Sequence, residues 1–253
     1  MSVLEIRREG PVAFLAFNRP EKRNAVNDET VAAMRAFLAD PGKETRAIVL
    51  SGNGGNFSSG LDLSEHVSRA SHEVMAHSRG WHAVTAMLKD GGIPVVAALT
   101  GAVMGGGLEI AACCHVRVAE EGTQFRMPEG QRGIFVGGGG SVRISAIIGA
   151  DRLAEMMLTG RTYRAAEAVI IGLAHYVVPE GQGMPKATEL AGIIAANSRT
   201  VNRMITTTLP KIAGMSEEQG LVAESMAAAL SQSGPDAAEG LRAFLEKRKP
   251  TFE

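Results

Sequence analysis

Two glutamates and two glycine runs carry the chemistry this sequence can do. Glu109 follows the triple glycine Gly105-Gly106-Gly107 with one residue between, and Glu129 sits in a Met-Pro-Glu-Gly turn ahead of a second run, Gly137 to Gly140. Glycines let a backbone come close to a ligand, and the first N–H groups of a helix point outward without a partner inside it. A strand, a glycine turn and a helix start therefore make a place for an oxyanion. Two carboxylates beside such a place suggest acid and base work next to a carbonyl. Each glutamate also has a plainer reading: Glu109 as a buried carboxylate tied into the helix cap, Glu129 as an ordinary residue of a Pro-Glu-Gly turn.

The elements that must position these residues follow from the apolar pattern. Pro94 to Leu99 is an apolar, β-branched run that fits a buried strand bounded by Pro94 and Gly101. Leu108 to Cys114 is apolar at nearly every position except Glu109 and suits a short buried helix, and Ser141 to Ile148 suits another. Upstream, Val3 to Arg7 and Val12 to Phe17 read as a hairpin around Glu9-Gly10-Pro11. A helix capped by Asn27 or Asp28 runs through Phe37 and ends at Asp40-Pro41-Gly42, and Ala47 to Leu50 is a further buried strand. Strand, glycine-rich loop and helix recur at 47–60 and 95–114, which implies layered units with their loops gathered on one edge. Helical patterns dominate after Ala150, and no strand is expected beyond Pro185. Gly181 to Pro185 opens the helical C-terminal part, with Ser198 and Ser216 as caps.

At Ala98 to Glu109 the pattern Ala-x-x-Gly-x-x-x-Gly-Gly-Gly-x-Glu, with Gln124-Phe125-x-Met127-Pro128-Glu129 after it, resembles the enoyl-CoA hydratase/isomerase (crotonase) superfamily. The likeness extends through Phe17 to Ala25, through Ser51-Gly52 and Phe57 to Leu63, through Leu158 to Arg161 with Ala165 to Ala168 and Gly172-Leu173, and through Ala243 to Lys249. Five motifs in order are far more specific than any one. The resemblance implies an α/β fold, a crotonase-like spiral of strand-and-helix units over residues 1–184 that holds a CoA-thioester site. It implies a helical region over 185–253 that builds homotrimers, often stacked as hexamers.

For the site, the resemblance implies that Glu109 positions and deprotonates water while Glu129 protonates the α-carbon of a 2-enoyl thioester. The backbone N–H groups of Leu61 and Gly106 would hold the thioester oxygen. Substrate and coenzyme contacts fall by position on Lys22 or Arg23, on Ser59, Gly60 and Asp62 of the first loop, on Phe135 and Gly137, and on Phe244 with Lys247 from a neighbouring subunit. For the basic residues the plain alternative is solvated surface charge. Leu61 departs from the small residue common there, His115 stands where Asp is common, and Phe135-Val136 replaces a Pro-containing approach to the glycines. Leu61 and Phe135 thus bear on the acyl pocket.

Composition narrows the classes. A formal charge of −1 shows no bulk attraction to nucleic acid or anionic membrane, and no apolar run approaches the roughly 20 residues of a membrane span. Met1 to Gly10 has no apolar h-region, so a reducing cytoplasmic location is the default expectation. Cys113 and Cys114 are adjacent, a spacing that suits neither a disulfide framework nor a chelating site. His72, with Glu73 after it, and His77 are five apart, not the four of a zinc-protease helix; with His66 and His82 they read as decoration of a solvated or subunit-facing helix. Nothing asks for a metal or redox cofactor, coenzyme A being carried by the substrate. Hydration of a 2-enoyl-CoA is the expected activity because both acids are present. A double-bond isomerase, another crotonase-type reaction, or a non-catalytic acyl-CoA-binding protein are the alternatives.

Overall fold

A computed structural model describes residues 2–65 and 69–252, without the side chain of Glu65. His66 therefore lies outside the described residues. The hairpin, first helix and first parallel strands form where the sequence puts them: β1 (Leu4–Glu9), β2 (Val12–Phe17), α1 (Asp28–Ala39) and β3 (Ala47–Gly52). Asn27 caps α1, its side chain accepting from the Thr30 N–H. Next come α2 (Ser71–Asp90), β4 (Val95–Leu99), β5 (Ala102–Met104) and α3 (Gly106–Ala111). After them run β6 (Val116–Glu120), β7 (Gln124–Arg126), α4 (Gly140–Ile148), α5 (Ala150–Thr159), β8 (Thr162–Arg164), α6 (Ala165–Ile170) and β9 (Tyr176–Val178). Helices α7 (Gly183–Ala195), α8 (Arg199–Thr207), α9 (Leu209–Ile212), α10 (Glu217–Gln232) and α11 (Pro235–Leu245) complete the chain. Ser198 and Ser216 cap α8 and α10 as expected.

A six-stranded sheet in the order β1-β2-β3-β4-β6-β9 is antiparallel only at the β1–β2 hairpin. Parallel neighbours need crossovers, and α1 and α2 provide the first two. Both faces of the sheet are covered at β2, β3 and β4, which is why those strands are apolar at nearly every position. Ile48 and Leu50 of β3 and Val95, Ala97 and Leu99 of β4 face the larger core, with α1, α2 and α3. Their alternates Ala47, Val49, Val96 and Ala98 face a second core, where Ala187, Ala191 and Ala195 of α7 lie against them. Alanines at every fourth position make one smooth helix face that lets α7 approach the sheet closely. The expected division at residue 184 falls inside α7, which packs with the sheet; the helices that follow it are α8 to α11.

A smaller sheet, β5-β7-β8, holds the glycine turn in place. Its start is stitched to the loop after β3, the Phe57 N–H donating to Thr100 O, Ser58 N–H to Ala102 O, and Met104 N–H to Ser58 O. Two expectations are corrected here. The apolar helix expected over Leu108 to Cys114 is α3, which starts two residues earlier and stops at Ala111, because only Gly105 carries the positive φ that precedes it (49°). Cys113 and Cys114 thus follow the helix, each thiol donating to the carbonyl four residues back. The strands β8 and β9 were not expected at all in a stretch read as mainly helical.

Candidate active site

The C-terminal ends of β3 and β4 open into the loops that build a cleft of about 230 Å³. Ligands of parallel sheets bind at that edge because the loops there diverge. Its walls include Leu61, Gly106, Glu109, Glu129, Phe135 and Gly137, along with Ser59 and Gly60.

Leu61 is fixed through its neighbours. The Val26 N–H donates to Gly60 O (2.8 Å) and the Asp62 N–H donates to Val26 O (2.9 Å). This bridge engages the groups on either side of Leu61 and leaves its own N–H without an acceptor among the described residues. Gly106 is treated alike: the Gly105 N–H donates to Arg126 O (2.9 Å), and the Gly106 amide, first in α3, is left over. The two amides are close, since a Cβ at Gly106 would lie 3.3 Å from the Leu61 nitrogen, and one at Gly60 would lie 3.2 Å from the Gly106 nitrogen. Side chains at 60 and 106 would fill the space between them. Two adjacent donors with no internal acceptor are what an oxyanion needs.

Glu109, the fourth residue of α3, is 4% exposed. Its Oε1 accepts from the N–H of Gly138 (2.9 Å) and of Gly140 (2.7 Å). Burial raises its pKa, and those two amides and the Arg143 charge oppose the rise without cancelling it. Glu129 opens a 3-10 turn, Glu129–Arg132, and is 7% exposed. Its Oε2 is buried and has no hydrogen-bond partner among the described residues. Burial pushes its pKa up to about 7; the charge on Glu109 pushes the same way, and Arg132 pulls back. Burial and the Glu109 charge thus favour the protonated form of Glu129, while two amides and an arginine favour the ionised form of Glu109.

The remaining expected residues divide. Ser59 and Gly60 line the cleft, as do Phe135, 73% exposed at its mouth, and Gly137, whose carbonyl accepts from Ser78 Oγ (2.6 Å). Asp62 does not. Its carboxylate accepts from the Ser64 hydroxyl (2.6 Å) and pairs with Arg19 (2.9 Å), contacts that hold its pKa below the usual range. Asp62 secures the loop from behind, its carboxylate being engaged by Ser64 and Arg19. Lys22 and Arg23 are exposed and outside the cleft walls, but their carbonyls accept from Ser59 Oγ and N–H, so their turn is tied to the loop. Phe244, 81% exposed on α11, and Lys247 beyond it do not reach this chain's own cleft.

Sequence reasoning missed the wall that α2 supplies. Trp81, the only tryptophan in the chain, is 4% exposed. A Cβ at Gly106 would meet its ring at 2.9 Å and one at Gly138 at 3.0 Å. The indole therefore lies between the oxyanion donors and the loop that holds Glu109. His77 also lines the cleft, its Nε2 2.9 Å from Asp28 Oδ1, so it is not surface decoration; His72 and His82 are exposed. The signal available was the spacing of His77, Ser78 and Trp81 on one helix face.

The mixed sheet, the small second sheet and the cleft between their loops are the architecture of the crotonase superfamily. Residues 7–253 match the family model described as enoyl-CoA hydratase/isomerase. Among curated relatives, Enoyl-CoA hydratase EchA19 of Mycobacterium tuberculosis is 33% identical over 98% of this chain and 95% of its own length. The short-chain-enoyl-CoA hydratase of Clostridium acetobutylicum is 31% identical over 96% and 95%. A crystal structure of a candidate enoyl-CoA hydratase from Rhodopseudomonas palustris superposes with a TM-score of 0.95 at 46% identity, covering 97% of this chain and 95% of that one. The chain belongs to the enoyl-CoA hydratase/isomerase family.

Proposed function

We propose that this protein is an enoyl-CoA hydratase, adding water reversibly to a 2-enoyl-CoA to give a 3-hydroxyacyl-CoA. The observation that carries the reading is a pair of buried glutamates in one cleft, one tied to two backbone amides and the other with a buried carboxyl oxygen that has no hydrogen-bond partner among the described residues. The names of the relatives support an acyl-CoA substrate. With the thioester oxygen on the Leu61 and Gly106 amides, the β-carbon is electron-poor. Glu109 takes a proton from water as its oxygen bonds to the β-carbon, the π electrons move to the thioester oxygen, and the enolate collapses by taking the Glu129 proton at the α-carbon. One amide donor of this kind is worth roughly 3 kcal/mol in the transition state of other enzymes. The coenzyme A arrives on the substrate, so no separate cofactor is called for, and a cytoplasmic location goes with the proposal.

Hydration uses the state with a proton on Glu129 and none on Glu109; dehydration uses the reverse. Both are forms of the same singly protonated pair. Loss of conjugated-thioester absorbance with crotonyl-CoA and longer 2-enoyl-CoAs is the direct test. The rate is expected to fall as pH rises past about 7, where the pair loses its last proton, with the same alkaline limb in both directions. Turnover of a 3-enoyl-CoA without any hydration would replace this reading with isomerisation.

The assembly proposed with it is a homotrimer or a dimer of trimers. Exposed Leu221, Met226 and Leu230 on α10 and Leu241, Phe244 and Leu245 on α11 support burial against other copies. Light scattering on the purified protein is expected to give three or six copies; a monomer would remove the route by which Phe244 and Lys247 reach a neighbour's coenzyme.

A further inference from the structure

Arg143, in the first turns of α4, reaches back over the loop that holds Glu109. Its Nη1 donates to the Thr85 hydroxyl oxygen (2.6 Å) and to the Gly138 carbonyl (3.2 Å). Thr85 is itself buried on α2, and its hydroxyl donates to Trp81 O (2.8 Å), so the anchor is rigid. Gly139 has φ 105°, and a Cβ there would lie 2.6 Å from Nη1; the guanidinium occupies the room that this glycine leaves. The N–H of Gly138 donates to Glu109 Oε1. One residue of the loop is thus held by its carbonyl to Arg143 and by its amide to Glu109.

We propose that Arg143 is a positioning residue for Glu109: it fastens the 138–140 loop to α2 and lends its positive charge to the ionised carboxylate. The inference rests on the reading of Glu109 as the base. Arg143 from α4 is the charge that acts on Glu109; Glu129 from the turn after β7 and the Cys113 thiol, which burial keeps protonated by raising its pKa to about 11, both feel the Glu109 charge in turn. Arg132 acts on Glu129. Arg143 is accordingly the cation that offsets the burial of Glu109.

The test needs no substrate. In protein labelled with ¹³C at the glutamate carboxyls, the Glu109 resonance is identified by its loss in Glu109→Gln and then titrated. Arg143→Gln is expected to move the Glu109 midpoint upward, and Arg143→Lys, which keeps a charge, to recover most of that movement. Thr85→Val, which removes the anchor with little change of volume, should move it upward by less; this variant carries the test if Arg143→Gln does not fold. With a 2-enoyl-CoA at neutral pH, Arg143→Gln should lower kcat by about tenfold and change KM by less than about twofold, since the base and not binding is affected. A Glu109 midpoint unmoved in the folded variants would overturn the proposal and leave Arg143 as a fastening between α4 and α2. Because the titration is read without turnover, an absence of hydration in the parent protein would count against the hydratase reading alone.

Discussion

Glu109→Gln and Glu129→Gln are each expected to lower kcat for hydration of a 2-enoyl-CoA by about 10²–10⁴-fold, the range for loss of a positioned acid or base. Glutamine at 109 can still accept from the Gly138 and Gly140 amides through its carbonyl oxygen, so the loop stays formed and the loss is of proton transfer. At 129 the buried Oε2 has no hydrogen-bond partner among the described residues, so the amide group breaks no bond there. The two variants should part company in a second assay. Exchange of an α-hydrogen of a saturated acyl-CoA with deuterium oxide requires only the oxyanion donors and the group facing the α-carbon. It should survive in Glu109→Gln and vanish in Glu129→Gln. Exchange lost in the first and kept in the second would reverse the two roles, and full hydration by either variant would remove that residue from the mechanism.

Gly138→Ala should be nearly as damaging although it removes no functional group. The added Cβ would lie 2.6 Å from Glu109 Oε2, 2.9 Å from its Cδ and 3.0 Å from Trp81 Cε3. The carboxylate cannot withdraw without giving up its two amide bonds, and the indole is packed in the core. Displacing Glu109 by even part of an ångström spoils the alignment on which base catalysis depends, so kcat is expected to fall by about 10²-fold. Overpacking of this kind costs about 1–3 kcal/mol of stability, or a few degrees in Tm for a chain of this length. The neighbouring Gly137→Ala is the control, because a Cβ there would meet only Ser78, at 3.8 Å and beyond. Equal kcat values for the two alanine variants would show that Glu109 tolerates the intrusion.

Strands β2, β3 and β4 were legible because each is a run of apolar residues that has to be buried on both faces. The three-residue strands β8 and β9 were not, because their character comes from partners: Phe125 pairs with Tyr163, and Ala119 with Val177. Taken alone, Tyr176 and Val177 are exposed side chains in a short polar-flanked segment. For the site, the glycines and the two acids were visible because the chemistry needs those residue types in that order. Trp81, Ser78 and His77 were not, since α2 approaches the glycine loop across a long stretch of chain and its inner face carries no motif. The side-chain partner of Asp62 was equally out of view, because Arg19 lies 43 residues earlier in the chain.

The two amides assigned to the thioester oxygen belong to the main chain, and their placement depends on bridges between peptide groups, at Val26 for one and Arg126 for the other. This makes the site robust to drift in a particular way. Side chains at 61, 26 and 126 can change while the donors stay where they are, so a leucine at 61 alters the shape of the pocket without touching the chemistry. Substitution is harmful where it adds an atom to a glycine, as at 60, 106 and 138. Divergence within such a family can therefore remodel what the cleft admits long before it disturbs how the cleft reacts.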